Sequence, residues 1–296
     1  MSLTLLAATD FSAPARHALE RAAQLAAAHE GARLTISHVL STSLLARLGS
    51  VMGEEAALFR QRVAGEAEAA LAELASRLKA QHGCEIDTRL GQGAALEGIT
   101  ALAEELAADL LVLGARGAHF VREFLLGSTT ERVLRKTRRP VLAVKQRPLG
   151  PYRRVLVPVD FSSHSRQAVL TAHRFLPQAD LILLHAFEVD IESTLRFASV
   201  DEEKIHHYRL RAREEALAAM ARFADELPIP PARLSRQVLH GAPTLRIVEQ
   251  EQALDADLIV MGKRGQSTLE ELLLGSVTKH VLAYSSSDVL IAGHTG

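Results

Sequence analysis

Gly114 and Gly117 stand directly after the apolar run Leu110–Leu113, and after nine intervening residues Gly127-Ser128 opens a segment with helical spacing. The same arrangement returns as Gly262, Gly265 and Gly275-Ser276, each displaced by 148 residues. Glycines let a backbone approach a phosphate and take positive φ without a Cβ clash. A helix start presents unpaired N–H groups and the positive end of its dipole. Ser128 or Ser276 adds a hydroxyl donor, and Arg116 or Arg264 adds a cation at the mouth. Asp10 and Asp160 each follow the first strand-like run of their half. Such a carboxylate can accept hydrogen bonds from ribose hydroxyls, or help hold a metal bound to phosphate. Together these groups suit a nucleotide. Singly, each also has a structural use: Asp10 as a helix cap, the glycine pair as a turn, Gly127-Ser128 as a plain helix start. Their joint recurrence at one spacing favours the nucleotide.

The repetition extends along the chain. LTLLAATDFS returns as RVLVPVDFS, RLTISHVL as DLILLHAF, DLLVLGARG as DLIVMGKRG, and LLLGSTTERVL as LLLGSVTKHVL, all in the same order. Apolar runs rich in Val, Ile and Leu read as buried strands: 3–9, 34–40, 86–90, 110–113 and 141–144. Helical spacing lies between them, at Ser12 to near Gly31, 54–82, 94–107 and 128–137. The second half follows with helices near 162–176, 201–227, 243–253 and 276–284. Five such strands alternating with helices predict a parallel sheet covered on both faces, so the fold class is α/β, doubly wound, twice. The expected domains are 1–147 and 152–296, joined by the polar Pro/Gly stretch KQRPLGPYRR. In such sheets ligands sit beyond the carboxyl ends of the strands.

Composition excludes other classes. With 48% hydrophobic and 23% charged residues the chain is an ordinary globular one. Its formal charge of −1 supplies no field to hold a polyanion, so no nucleic-acid partner is expected. No apolar run reaches the roughly 18 residues of a membrane span, and the N-terminus lacks a basic region before its apolar residues. A cytoplasmic protein with no membrane partner is the expectation. The single cysteine, Cys84, is expected to be a small buried hydrophobe. Trp is absent and Tyr scarce, which counts against flavin stacking.

At these residues the sequence resembles the universal stress protein family, whose nucleotide-binding members carry G-x2-G-x9-G-[ST]. The early Asp-Phe-Ser and the His-Val or His-Ala of the second strand also look like that family, and the resemblance spans almost the whole chain as two copies. It implies a flavodoxin-like, or adenine-nucleotide-α-hydrolase-like, five-stranded sheet of order 3-2-1-4-5. It implies ATP, with magnesium, as the ligand, its ribose near Asp10 or Asp160 and its adenine near Val39 or Ala186. The triphosphate would lie against Gly114, Gly117, Gly127, Ser128, Thr129 and Thr130, or against Gly262, Gly265, Gly275, Ser276, Val277 and Thr278. It further implies intramolecular pairing of the domains through their last strands, a homodimer, and a stress-response role as sensor or regulator. Slow ATP hydrolysis and a nucleotide-independent scaffold stand as alternatives.

Thr129 departs from the family's usual Val, which Val277 keeps, and the first bridge carries Phe120, Arg122 and Glu123. The second half is therefore expected to bind more tightly. Other motifs are absent. Gly262-Lys263 does not complete a Walker A, and Leu96 replaces the last glycine of G-x-G-x-x-G. There is no G-x-S-x-G or H-E-x-x-H. His38 and His185 recur at one place and are expected to make a structural hydrogen bond at the strand end. His206-His207 read as solvated, and the basic run Glu131–Pro140 as dipole-complementing charge.

Overall fold

The computed structural model describes residues 2–43, 46, 56–115, 126–189, 201–263, 265 and 274–293. The chain divides into two compact units, with the break between Pro151 and Tyr152.

In the first unit the elements are β1 (Thr4–Ala8), α1 (Ala13–Ala27), β2 (Arg33–Ser41), α2 (Ala56–His82), β3 (Glu85–Gly93), α3 (Ala95–Glu105), β4 (Leu110–Gly114), α4 (Ser128–Lys136) and β5 (Val141–Val144). The strands are parallel in the order β3-β2-β1-β4-β5. The second unit repeats this with β6 (Arg154–Pro158), α5 (Ser163–Phe175), β7 (Asp180–Phe187), α6 (Glu202–Asp225), β8 (Leu234–His240), α7 (Pro243–Ala253), β9 (Leu258–Gly262), α8 (Ser276–Tyr284) and β10 (Asp288–Ala292). Its order is β8-β7-β6-β9-β10. Each unit thus has the expected 3-2-1-4-5 arrangement.

The core follows from composition. With few aromatics, it is built of close-packed aliphatic side chains. Leu5, Leu34 and Leu110 are buried and in register across β1, β2 and β4. Helix α1 turns Ala15, Ala18, Leu19, Ala22, Ala23 and Ala26 inward, and these small residues let it lie close on the sheet. It ends at Ala27, earlier than the periodicity predicts. The His29 ring donates from Nδ1 to the Leu25 carbonyl at 2.9 Å, satisfying one of the carbonyls a helix end leaves open. Gly31 then takes φ +73° in the turn to β2.

One strand differs in character from its prediction. Residues 86–90 read as buried, yet in β3 Glu85, Asp87 and Arg89 are exposed while Ile86, Thr88 and Leu90 are half-buried. The alternation is that of a strand covered on one face only.

Cys84 is 6% exposed, and burial pushes its thiol above the usual range. Little thiolate then forms at neutral pH. A thiol reagent is expected to modify the native chain slowly and to react fast once denaturant opens the first unit. Prompt labelling of the native chain would contradict the burial.

Ala107 and Asp255, 148 residues apart, take left-handed φ of 47° and 43° in the turns after α3 and α7. That conformation costs an L-residue roughly 1–2 kcal/mol, part of which glycine's greater chain entropy offsets. Ala107→Gly is expected to stabilise the chain by about 0.5 kcal/mol, measured by the denaturant midpoint at constant slope.

Candidate functional site

The second unit carries a cavity of about 640 Å³ at the carboxyl ends of its strands. Asp160, Ala186, Gly262 and Gly265 line it, together with Gly275, Ser276, Val277 and Thr278. Every second-half residue singled out in the sequence therefore meets in one space, except Arg264, which lies outside the described residues.

Asp160 sits just past β6. The next residue, Phe161, has φ 63°, a left-handed conformation uncommon for a bulky side chain. This turn brings Ser162 back to the aspartate. The Ser162 N–H donates to Asp160 Oδ1 at 3.1 Å and its hydroxyl donates to the same oxygen at 2.5 Å. Ser162 also caps α5, accepting from the Ser165 N–H at 3.2 Å. The capping role is thus Ser162's and not the aspartate's. Asp160 Oδ2 points toward Gly265, where an added Cβ would come within 2.7 Å of it. A side chain at Gly265 would displace this carboxylate oxygen.

The far wall is the start of α8. Thr278 is buried, and its hydroxyl donates at 3.1 Å to the carbonyl of Gly262, the last residue of β9. The Gly275 N–H donates at 3.1 Å to Lys263 O. Gly275 occupies the N-cap with φ −59°, which any residue adopts, and no side chain caps the helix. The first-turn N–H groups of α8 are thus left for an acceptor from outside the helix. Met261, Pro243, Ile247 and Leu184 form apolar walls.

His185, on β7, also lines the cavity. Its Nδ1 lies 2.8 Å from Val159 O, so it carries the hydrogen and donates, as expected of a strand-end histidine. The ring lies 4.3 Å from that of Phe161, whose edge meets Phe223 of α6 at 5.7 Å. Neither contact was legible as such; the repeated Asp-Phe-Ser and the repeated histidine were its signal.

The first unit reproduces the anchors. The Ser12 N–H donates to Asp10 Oδ1 at 3.0 Å, and Ser12 caps α1 by accepting from the Ala15 N–H at 3.3 Å. Phe11 has φ 64° and stacks on His38, which donates to Thr9 O at 2.7 Å. Thr130 donates to Gly114 O at 2.8 Å, and the Gly127 N–H to Ala115 O at 2.7 Å. Gly127 caps α4 with φ −61° and no side-chain bond, with Ser128 and Thr129 exposed beside it. Val39 packs so closely on Gly98 that a Cβ there would lie 2.9 Å from it. Arg116, Gly117, Phe120, Arg122 and Glu123 lie outside the described residues.

His206 and His207 are exposed, and among the described residues no three His, Cys, Asp or Glu side chains cluster as a metal site. The basic run is tied down locally. Arg135 pairs with Glu131 at 2.6 Å, and Arg139 donates to Glu104 at 2.7 Å and to Ala108 O at 2.7 Å. The Arg139 hydrogen bond holds the Glu104 carboxyl below its ordinary range. No described helix is long and apolar enough to cross a membrane.

The universal stress protein family model matches residues 1–145 and again 151–293. A universal stress protein of Methanocaldococcus jannaschii is 30% identical over 141 residues, 47% of this chain and 81% of that protein. One from Mycolicibacterium smegmatis is 25% identical over 295 residues, 97% of this chain and 96% of that one. The crystal structure of a universal stress protein from Archaeoglobus fulgidus covers 99% of this chain and 98% of its own, at 21% identity and a TM-score of 0.69, a likeness of fold. With its anchors repeated at both sheet ends and the family matched over both units, the chain belongs to the universal stress protein family.

Proposed function

We propose that the cavity of the second unit binds ATP, carried with magnesium, and that the chain acts as a nucleotide-dependent sensor or regulator in the stress response. One observation carries this reading: the described second-half residues chosen from sequence line a single cavity of about 640 Å³. That volume falls within the roughly 300–1,000 Å³ typical of small-molecule sites. Its two polar poles suit a nucleotide. The uncapped start of α8 offers N–H donors and a dipole to phosphate oxygens. Asp160 offers an acceptor to ribose hydroxyls, and the apolar walls between Ala186 and Ile247 suit a purine. Magnesium would ride on the phosphates, because a lone carboxylate makes a poor site for it. Thr278 contributes its backbone N–H to this scheme, since its hydroxyl is spent on Gly262 O.

Regulation is favoured over turnover by the donor set. Asp160 is the single carboxylate among the described lining residues, and its Oδ1 already accepts two bonds from Ser162. His185, the other ionisable side chain among the described lining residues, is tied by Nδ1 to Val159 O, and we assign no group there to position an attacking water. We assign the first unit the same ligand class with weaker affinity, through Asp10, Val39, Gly127, Ser128, Thr129 and Thr130.

Mass spectrometry of freshly purified, denatured protein should find ATP. No nucleotide there, with no heat of binding in calorimetry, would favour a scaffold. Release of phosphate above about 1 per second would favour an enzyme.

Gly275→Asp places a carboxylate where the phosphates are proposed to sit. It should lower ATP affinity at least about tenfold by removing charge-assisted bonds, while helix stability holds or rises, since Asp is a good N-cap. Gly127→Asp should remove less bound ATP. An equal or reversed loss in equilibrium dialysis would overturn the ranking of the two sites.

A further inference from the structure

Asp160 has a neighbour on each side, and a single side chain holds both. His185 donates from Nδ1 to the carbonyl of Val159, the residue before Asp160, at 2.8 Å. Its ring stacks at 4.3 Å on Phe161, the residue after. Phe161 is the residue in left-handed conformation, and that conformation returns Ser162 to Asp160 Oδ1. With Oδ1 fixed by Ser162, Oδ2 is aimed at the cavity side, against Gly265. The direction of the carboxylate therefore follows from the turn, and the turn is held by the imidazole. The first unit repeats the histidine and the turn: His38 donates to Thr9 O at 2.7 Å and packs, tilted, at 4.5 Å against Phe11, whose φ is 64°. The first unit has a further support at this turn. Thr9 Oγ1 also accepts from the Phe11 N–H at 2.9 Å, and Val159 at the matching place has no hydroxyl.

We propose that His185 is a positioning residue for ribose recognition: it sets the Asp160 carboxylate by clamping the left-handed turn at Phe161. The proposal rests on the nucleotide reading above, with Asp160 as the ribose acceptor. A residue of merely structural importance would weaken ATP and its deoxy analogues alike. A positioning residue changes the ratio between them.

The test uses the full chain carrying Gly127→Asp, so that the second unit dominates, and titrates ATP, 2′-deoxy-ATP and 3′-deoxy-ATP by calorimetry. The parent should prefer ATP over at least one deoxy analogue by about tenfold, the worth of a hydrogen bond to a charged acceptor. Asp160→Ala should bring the ratio to about one. His185→Leu, which keeps bulk but neither donates nor stacks as an aromatic, should bring it most of the way there. His185→Asn, whose amide can donate to Val159 O, should recover part of the ratio, and it serves if the leucine variant does not fold. A His185 variant that folds and keeps the parent's ratio, while Asp160→Ala loses it, overturns the positioning role and leaves the nucleotide reading standing. A parent that binds ATP and both analogues equally overturns Asp160 as the ribose acceptor, and the positioning role with it. A parent that binds none of the three overturns the nucleotide reading itself.

Discussion

The chemistry of each unit depends on its strands all running the same way. When β6, β7 and β9 are parallel, Val159, Ala186 and Gly262 emerge at one edge of the sheet. Each connection must then return through a helix that begins at that edge. Carboxyl ends of strands and amino ends of helices are thus brought together by connectivity alone, before any side chain is chosen. What remains for the sequence is to decide which of these ends stay open. At α5, Ser162 closes the helix start with its own hydroxyl. At α8, a glycine leaves it open. The carboxyl end of this sheet therefore carries a helix start sealed by its own side chain at α5 and unsealed ones at α7 and α8, and residues from all three line the cavity.

This explains how much of the site was legible in the sequence. The strand-turn positions were readable because periodicity locates the ends of buried strands, and the repeat doubled each signal. Helices α7 and α8 begin and end as their spacing predicts, at Pro243–Ala253 and Ser276–Tyr284. The boundary of α1 was less readable: the helix stops early, at a turn where the His29 side chain reaches back to Leu25 O. The glycines were legible by place but not by cause. Gly127 and Gly275 have ordinary φ of −61° and −59°, so positive φ is not their reason. Their use lies in the side chain they lack. The residues beside the site that do need a left-handed backbone are phenylalanines, Phe11 and Phe161. No propensity argument would choose Phe there, because its conformation is stabilised by a histidine on another strand.

The two units also show how one fold tolerates different solutions beside the same site. In the first, Val39 of β2 fills the space over Gly98, where a Cβ would come within 2.9 Å. In the second, small Ala186 stands at the place of Val39, and Arg246 takes the place of Gly98, 148 residues on. Arg246 is drawn aside, donating from Nε to His240 O at 2.8 Å and from an η nitrogen to Glu249 at 2.7 Å. It passes so close to Gly241 that a Cβ there would come within 2.7 Å of its Nε. Bulk on the strand with glycine on the helix has become a small residue on the strand with a long one folded back along the helix. Close packing allows either arrangement but not both bulky residues at once.

The same trade bears on the proposed site of the second unit. A Val contributes apolar surface that the fold gains by covering, and in the first unit Gly91 of β3 and Gly98 of α3 lie against half-buried Val39. In the second, the smaller Ala186 stands at that place, equally half-buried, and it lines the cavity with Ile247 and Pro243 of α7. Apolar side chains lining an open space are a cost to the free protein, because they forgo contacts that a filled core would supply. A flat apolar ligand seated there would restore those contacts. The preference proposed for the second unit would then have two separate roots, Val277 beside the start of α8 and Ala186 of β7, both of which line the one cavity.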